Sequence, residues 1–118
     1  MVIWLYCHIK VIMTTQYNLA VLKAEIIKSI AHPTRLMMVE ALAGGEMCVS
    51  ELKEMFDVDH STISKHLTIL KKAGVLSDRK EGLKVYYRLE VPMILNFIGS
   101  ITSVVENRLR SQLDALEG

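Results

Sequence analysis

The chain has 118 residues, 51% hydrophobic and 23% charged, which suits one domain with one core and excludes a disordered chain. Fourteen Lys and Arg against thirteen Asp and Glu leave a net charge of +1, so the chain is no polyelectrolyte, although a local basic face remains open. Two cysteines, Cys7 and Cys48, are too few for a disulfide framework and point to a reducing, cytoplasmic setting, and no apolar run approaches the roughly 20 residues of a membrane span.

The chain opens on MVIWLYCHIKVI. A secretory leader places positive charge before its apolar stretch and small residues after it, and neither is present, so export is not expected. Two readings stay open. Residues 1–15 form an additional arm or strand, or translation begins at Met13. Residues 16–118 then form a single domain.

Leu19, Leu22, Ile26 and Ile30 recur at helical spacing and predict an amphipathic helix that ends before Pro33. Pro33 suits the first turn of the next helix, where its missing N–H costs nothing. That helix carries Leu36, Val39 and Leu42 and stops at Gly44-Gly45. A short helix follows from about Ser50, its expected N-cap, to Phe56, with Leu52, Met55 and Phe56 facing inward. Asp57-Val58-Asp59 makes a tight turn. Asp59 is then the expected cap of a helix running to Ala73, with Ile63, Leu67 and Leu70 inward and Gly74 as its stop.

Two short helices joined by such a turn form a helix-turn-helix. Val75–Lys80 and Leu83–Leu89 flank Glu81-Gly82, and the second run alternates Val85, Tyr87, Leu89 against Lys84, Tyr86, Arg88. This predicts a β-hairpin with a half-buried strand and a basic tip carrying Arg79, Lys80 and Lys84. The fold class is therefore mainly α with a small β-hairpin wing, a winged helix-turn-helix. From Pro92 to about Leu116, Ile94, Ile98, Ile101, Val105, Leu109, Leu113 and Leu116 mark a long final helix. A terminal helix so apolar needs a cover, and a second copy supplies it, giving a homodimer built on the N- and C-terminal helices.

Charge follows this division. Residues 60–88 hold seven basic side chains against two acidic, whereas residues 1–59 hold five against seven and residues 89–118 two against four. Phosphates require positive charge, and base edges require short polar groups on a rigid frame. His60, Ser61, Thr62, Ser64 and Lys65 open the second helix of the helix-turn-helix, the end that meets bases in such motifs. Lys71 and Lys72 lie further along, better placed for phosphates. For His66 a packing or capping role and a phosphate contact both stand, and Tyr86 packs on the wing or touches DNA.

The run Ser61–Leu76, together with Ala31-His32-Pro33-Thr34-Arg35-Leu36 and Glu46-Met47-Cys48-Val49-Ser50-Glu51-Leu52, resembles the ArsR/SmtB family of transcription regulators. The resemblance covers about residues 17–117. It implies a dimeric winged-helix repressor that binds a near-palindromic operator and releases it on sensing a ligand or a thiol-reactive signal. By position it carries DNA contacts onto His60, Ser61, Thr62, Ser64 and Lys65, with Arg79, Lys80 and Lys84 on the wing.

The sensor is less legible. Family metalloid sites commonly use Cys-Val-Cys where this chain has Cys48-Val49-Ser50, and soft ions need two or three thiolates. Zinc or a metalloid is therefore expected only if Cys7 joins Cys48. Residues 92–118 contain neither His nor Cys, so the family's C-terminal zinc site and its persulfide-sensing cysteine pair are not expected. Cys48 remains a sensor candidate beside a helix start, or is a buried small hydrophobe. Some relatives sense small organic molecules, including S-adenosylhomocysteine, for which a pocket among the first, second and last helices would serve.

Two rivals are set against this reading. An enzyme is not expected, because no carboxylate pair, Ser-His-Asp order or phosphate-binding glycine loop is present. A winged helix that binds proteins rather than DNA would not need Ser and Thr at a helix start together with a basic wing.

Overall fold

The computed structural model describes residues 2–118; Met1, the first residue of the expected arm, lies outside them. Helix α1 runs unbroken from Val2 to Ile30. The expected arm is thus helical, and the strand alternative does not hold. No Gly or Pro interrupts residues 2–30, and the hydroxyls of Thr14 and Thr15 turn back to the carbonyls of Lys10 and Val11 at 2.8 and 3.0 Å, so nothing ends the helix early.

Helix α2 spans Pro33–Ala41 and a single 3₁₀ turn, Leu42–Gly44, follows it. Pro33 opens α2 as expected, while its cap is His32, whose Nδ1 accepts the Thr34 N–H at 3.1 Å. Strand β1 is the two-residue Met47–Cys48, which the sequence did not reveal. Helix α3 spans Val49–Met55. Its cap is Cys48 rather than Ser50: the Glu51 carboxylate reaches back to the Cys48 N–H at 3.2 Å, closing the start one turn earlier than a hydroxyl cap would.

Helix α4, His60–Lys72, begins at the expected cap, Asp59, and stops at Gly74, whose φ of +84° lies where other residues are strained. Strands β2 (Leu76–Glu81) and β3 (Lys84–Leu89) pair antiparallel about the turn Gly82-Leu83. β1 adds to the other edge of β3, with Cys48 opposite Tyr86, so the sheet order is β1-β3-β2. Helix α5 closes the chain as Ile94–Glu117.

Ile63, Leu67 and Leu70 of α4 are fully buried against Met38, Val39, Leu52 and Val75, so the inward face of α4 is the middle of the core. From α1 only Ser29 and Ile30 are buried, and from α5 only Ile94 and Ile98. Both long helices overhang this core. The molecule measures 64 × 58 × 22 Å with a radius of gyration of 19.9 Å, against about 13–14 Å for a compact chain of this length.

Candidate nucleic-acid interface

One surface of α4 is wet along its length. Ser61, Ser64, Lys65, Thr68 and Lys72 fall three or four residues apart and so share the side opposite Ile63, Leu67 and Leu70. Ser64, Lys65, Thr68 and Ile69 line a shallow groove on it. Thr68 was not among the expected contacts, although its spacing of four from Ser64 and seven from Ser61 is the signal that places it there; its hydroxyl donates to the Ser64 carbonyl at 2.8 Å. His60 is exposed at the first turn. Thr62 is turned half a circle from Ser64, half-buried, with its N–H on Asp59 Oδ1 at 3.3 Å.

Asp59 organises this helix start. Its second oxygen accepts the Ser61 hydroxyl at 2.8 Å. The Thr62 and Ser61 hydrogen bonds hold the Asp59 carboxyl below its usual pKa. The Ser61 hydroxyl oxygen therefore keeps its lone pairs for a donor, while its proton is committed to the cap.

The seven basic side chains of residues 60–88 divide into two groups. Lys71 meets Asp78 at 2.9 Å, Arg88 meets Glu90 at 2.7 Å, and Arg79 meets Glu46 at 2.7 Å and Glu81 at 2.6 Å. These carboxylates push Lys71, Arg79 and Arg88 up from their ordinary pKa values. The Arg79 guanidinium also lies 4.7 Å from the centre of the Tyr86 ring, so Tyr86 packs on the wing. Lys65, Lys72, Lys80 and Lys84 take part in no ion pair among the described residues. Lys80 and Lys84 flank the wing tip, where Leu83 stands fully exposed. The free positive charge is thus on the wet side of α4 and on the wing tip, while Lys71 and Arg79 brace the wing against the body.

The two cysteines are not brought together. Cys7 is exposed on α1, ~34 Å along the helix from Ile30, and Cys48 is buried at the start of α3. The charge beside Cys48 is the Glu51 carboxylate, not a cation that would favour a thiolate. Among the described residues no group of three or more His, Cys, Asp or Glu could hold a metal ion. An apolar groove of about 420 Å³ does lie between α1 and α5, lined by Ile26, Ile27, Ile30, Ile94 and Phe97, with Lys23 at its edge. No helix among the described residues is long and apolar enough to cross a membrane.

The three-stranded wing packed on a helix-turn-helix bears on what the chain resembles. A family model of the bacterial regulatory proteins of the arsR family matches residues 32–78, from the α2 cap into β2. The transcriptional repressor SdpR of Bacillus subtilis is 38% identical over 80 residues, covering 62% of this chain and 89% of that protein. The chain belongs to the arsR family. A biofilm growth-associated repressor of Agrobacterium fabrum is 41% identical over 66 residues, and this arsR-family chain spans 56% of that protein's length. Among solved structures, the homodimeric winged helix-turn-helix DNA-binding domain of a possible ArsR-family regulator from Mycobacterium bovis superposes with a TM-score of 0.70 at 26% identity, over 81% of this chain and 89% of that one. The chain is a DNA-binding transcriptional regulator with the winged helix-turn-helix fold of that family.

Proposed function

We propose that this arsR-family chain is a repressor that binds operator DNA as a homodimer, with the wet side of α4 in the major groove and the wing on the flanking backbone. The observation that carries the reading is the match between free charge and polar surface: Ser61, Ser64, Lys65, Thr68 and Lys72 lie along one side of α4, and Lys80 and Lys84 stand unpaired on the wing tip. Ser64 and Lys65 face base edges, with Ser61 and His60 at the groove entry; Lys72, Lys80 and Lys84 hold phosphates. Thr62, Lys71 and Arg79 support this surface from behind. α1 and α5 join the two copies, as the twenty-two of twenty-eight exposed large hydrophobic side chains that lie on them among the described residues suggest.

The test is fluorescence anisotropy with the DNA upstream of the protein's own gene, across a salt series. Binding that falls steeply with salt, and weakens in Ser64→Ala and Lys65→Ala without change of oligomeric state, is expected. Salt-insensitive or undetectable binding would favour the protein-interaction alternative.

For release, the apolar groove between α1 and α5 favours a small organic ligand over a thiol-borne signal, since Cys48 is buried beside a carboxylate. Release of DNA by As(III) or a persulfide donor in the wild type but not in Cys48→Ser would reverse that preference.

A further inference from the structure

The N-terminal half of α1, Val2–Thr15, packs against nothing in its own chain, and every side chain in it is exposed. Leu5, Ile12, Leu19 and Ile26 repeat at intervals of seven, so one line of apolar side chains runs from this half into the groove shared with α5. A second apolar line, Tyr6, Ile9, Met13 and Tyr17, exists only in this half and borders its own shallow groove. The remaining third of the helix carries Cys7, Lys10, Thr14 and Asn18. A helix apolar on two sides is one that is packed on two sides.

We infer that Val2–Thr15 is a built-in extension of the dimer contact, held between α1 and α5 of a second copy of this chain. The inference rests on the homodimer proposed above. Three observations select that occupant. The Leu5–Ile26 line is continuous with the face that the dimer uses. The cover is also matched in length: α5 beyond Ile98 leaves Ile101, Val105, Leu109, Leu113 and Leu116 exposed over ~24 Å, and Leu5 to Leu19 offers ~21 Å of apolar helix. A two-fold exchange covers both overhangs with the same contact made twice. Finally, Lys10 is the one Lys or Arg in residues 2–22, whereas a helix that lies on an anionic lipid surface carries a basic polar face.

The experiment is sedimentation of the full chain over a concentration series, beside Leu5→Glu/Ile12→Glu and Leu22→Glu/Ile26→Glu, with circular dichroism to establish that each variant is folded. The expected result is a dimer in the wild type and a dimer dissociation constant raised at least about 100-fold in both variants. A dimer unaffected by Leu5→Glu/Ile12→Glu but broken by Leu22→Glu/Ile26→Glu overturns the extension and leaves the dimer standing. A wild-type chain that is monomeric throughout overturns both. Co-sedimentation of the wild type with phosphatidylglycerol vesicles, lost in Leu5→Glu/Ile12→Glu with the dimer constant unchanged, assigns this half to lipid and also overturns it.

Discussion

The imidazole rings of His32 and His66 lie 4.5 Å apart, tilted by 45°, where the cap of α2 meets the middle of α4. His32 Nδ1 is committed to the Thr34 N–H, so its proton sits on the other nitrogen, while His66 Nδ1 and Arg35 Nε are buried without a partner. Burial first, then the charges of His32 and Arg35, push His66 below the ordinary histidine pKa. The fold therefore holds His66 neutral, and the unfolded chain binds the extra proton on acidification. Stability is complete above about pH 6.5 and falls as the pH drops below that value towards the folded pKa. Thermal melts between about pH 7.5 and 5 should show this slope, and His66→Gln should flatten it. An equal slope in both proteins would assign the acid sensitivity elsewhere.

Lys80 and Arg79 are adjacent on the wing but differ in what they offer to DNA. Lys80→Ala should reduce the slope of log affinity against log salt by about 0.9, the effect of one phosphate contact, and weaken binding on all sequences alike. Glu46→Gln should act in the opposite sense, since it releases part of Arg79's charge, and the gain should shrink as salt screens it. Anisotropy at several salt concentrations reads both. A change of base preference in Lys80→Ala would instead make the wing a reader of sequence.

Asp59→Ala removes the acceptor for both the Thr62 N–H and the Ser61 hydroxyl. The start of α4 should fray, lowering the melting temperature by a few degrees and weakening operator binding more than the loss of stability explains. Asp59→Asn should recover most of the stability. Because Asp59 is held below its ordinary pKa, the contribution of this cap is present above the unfolded carboxyl value and is lost as the pH falls through the folded one.

The cysteines should separate cleanly under alkylation. Cys7 lies on the polar third of α1 and should label in the native protein within the time taken by a free thiol, while Cys48, 3% exposed, should label only on unfolding. Two fast thiols, counted by intact mass, would contradict the buried placement of Cys48.

Much of this was readable before any coordinates. The Ile63, Leu67, Leu70 spacing and the Asp59 cap placed α4 to within a residue, and the alternation Val85, Tyr87, Leu89 placed the wing. The signals were local: a cap, a period and a glycine stop. What stayed hidden depends on partners distant in sequence. Strand β1 is two residues long and exists only because β3 offers an edge to Met47 and Cys48. The Cys48 cap shows only once Glu51 is seen to reach back, and the pairing of Arg79 with Glu46 spans thirty-three positions. Seven basic residues in a row of sequence read as one surface, yet four carboxylates remove three of them from it.

The overhang of α1 and α5 also governs how the molecule melts. A solitary helix of some fifteen residues is only marginally stable in water, and beyond Ile98 helix α5 buries no side chain in its own core. Ordering of those turns is then bought by association, so the midpoint of unfolding should climb with protein concentration, and a thermal melt becomes a way of weighing how many copies are in the tube.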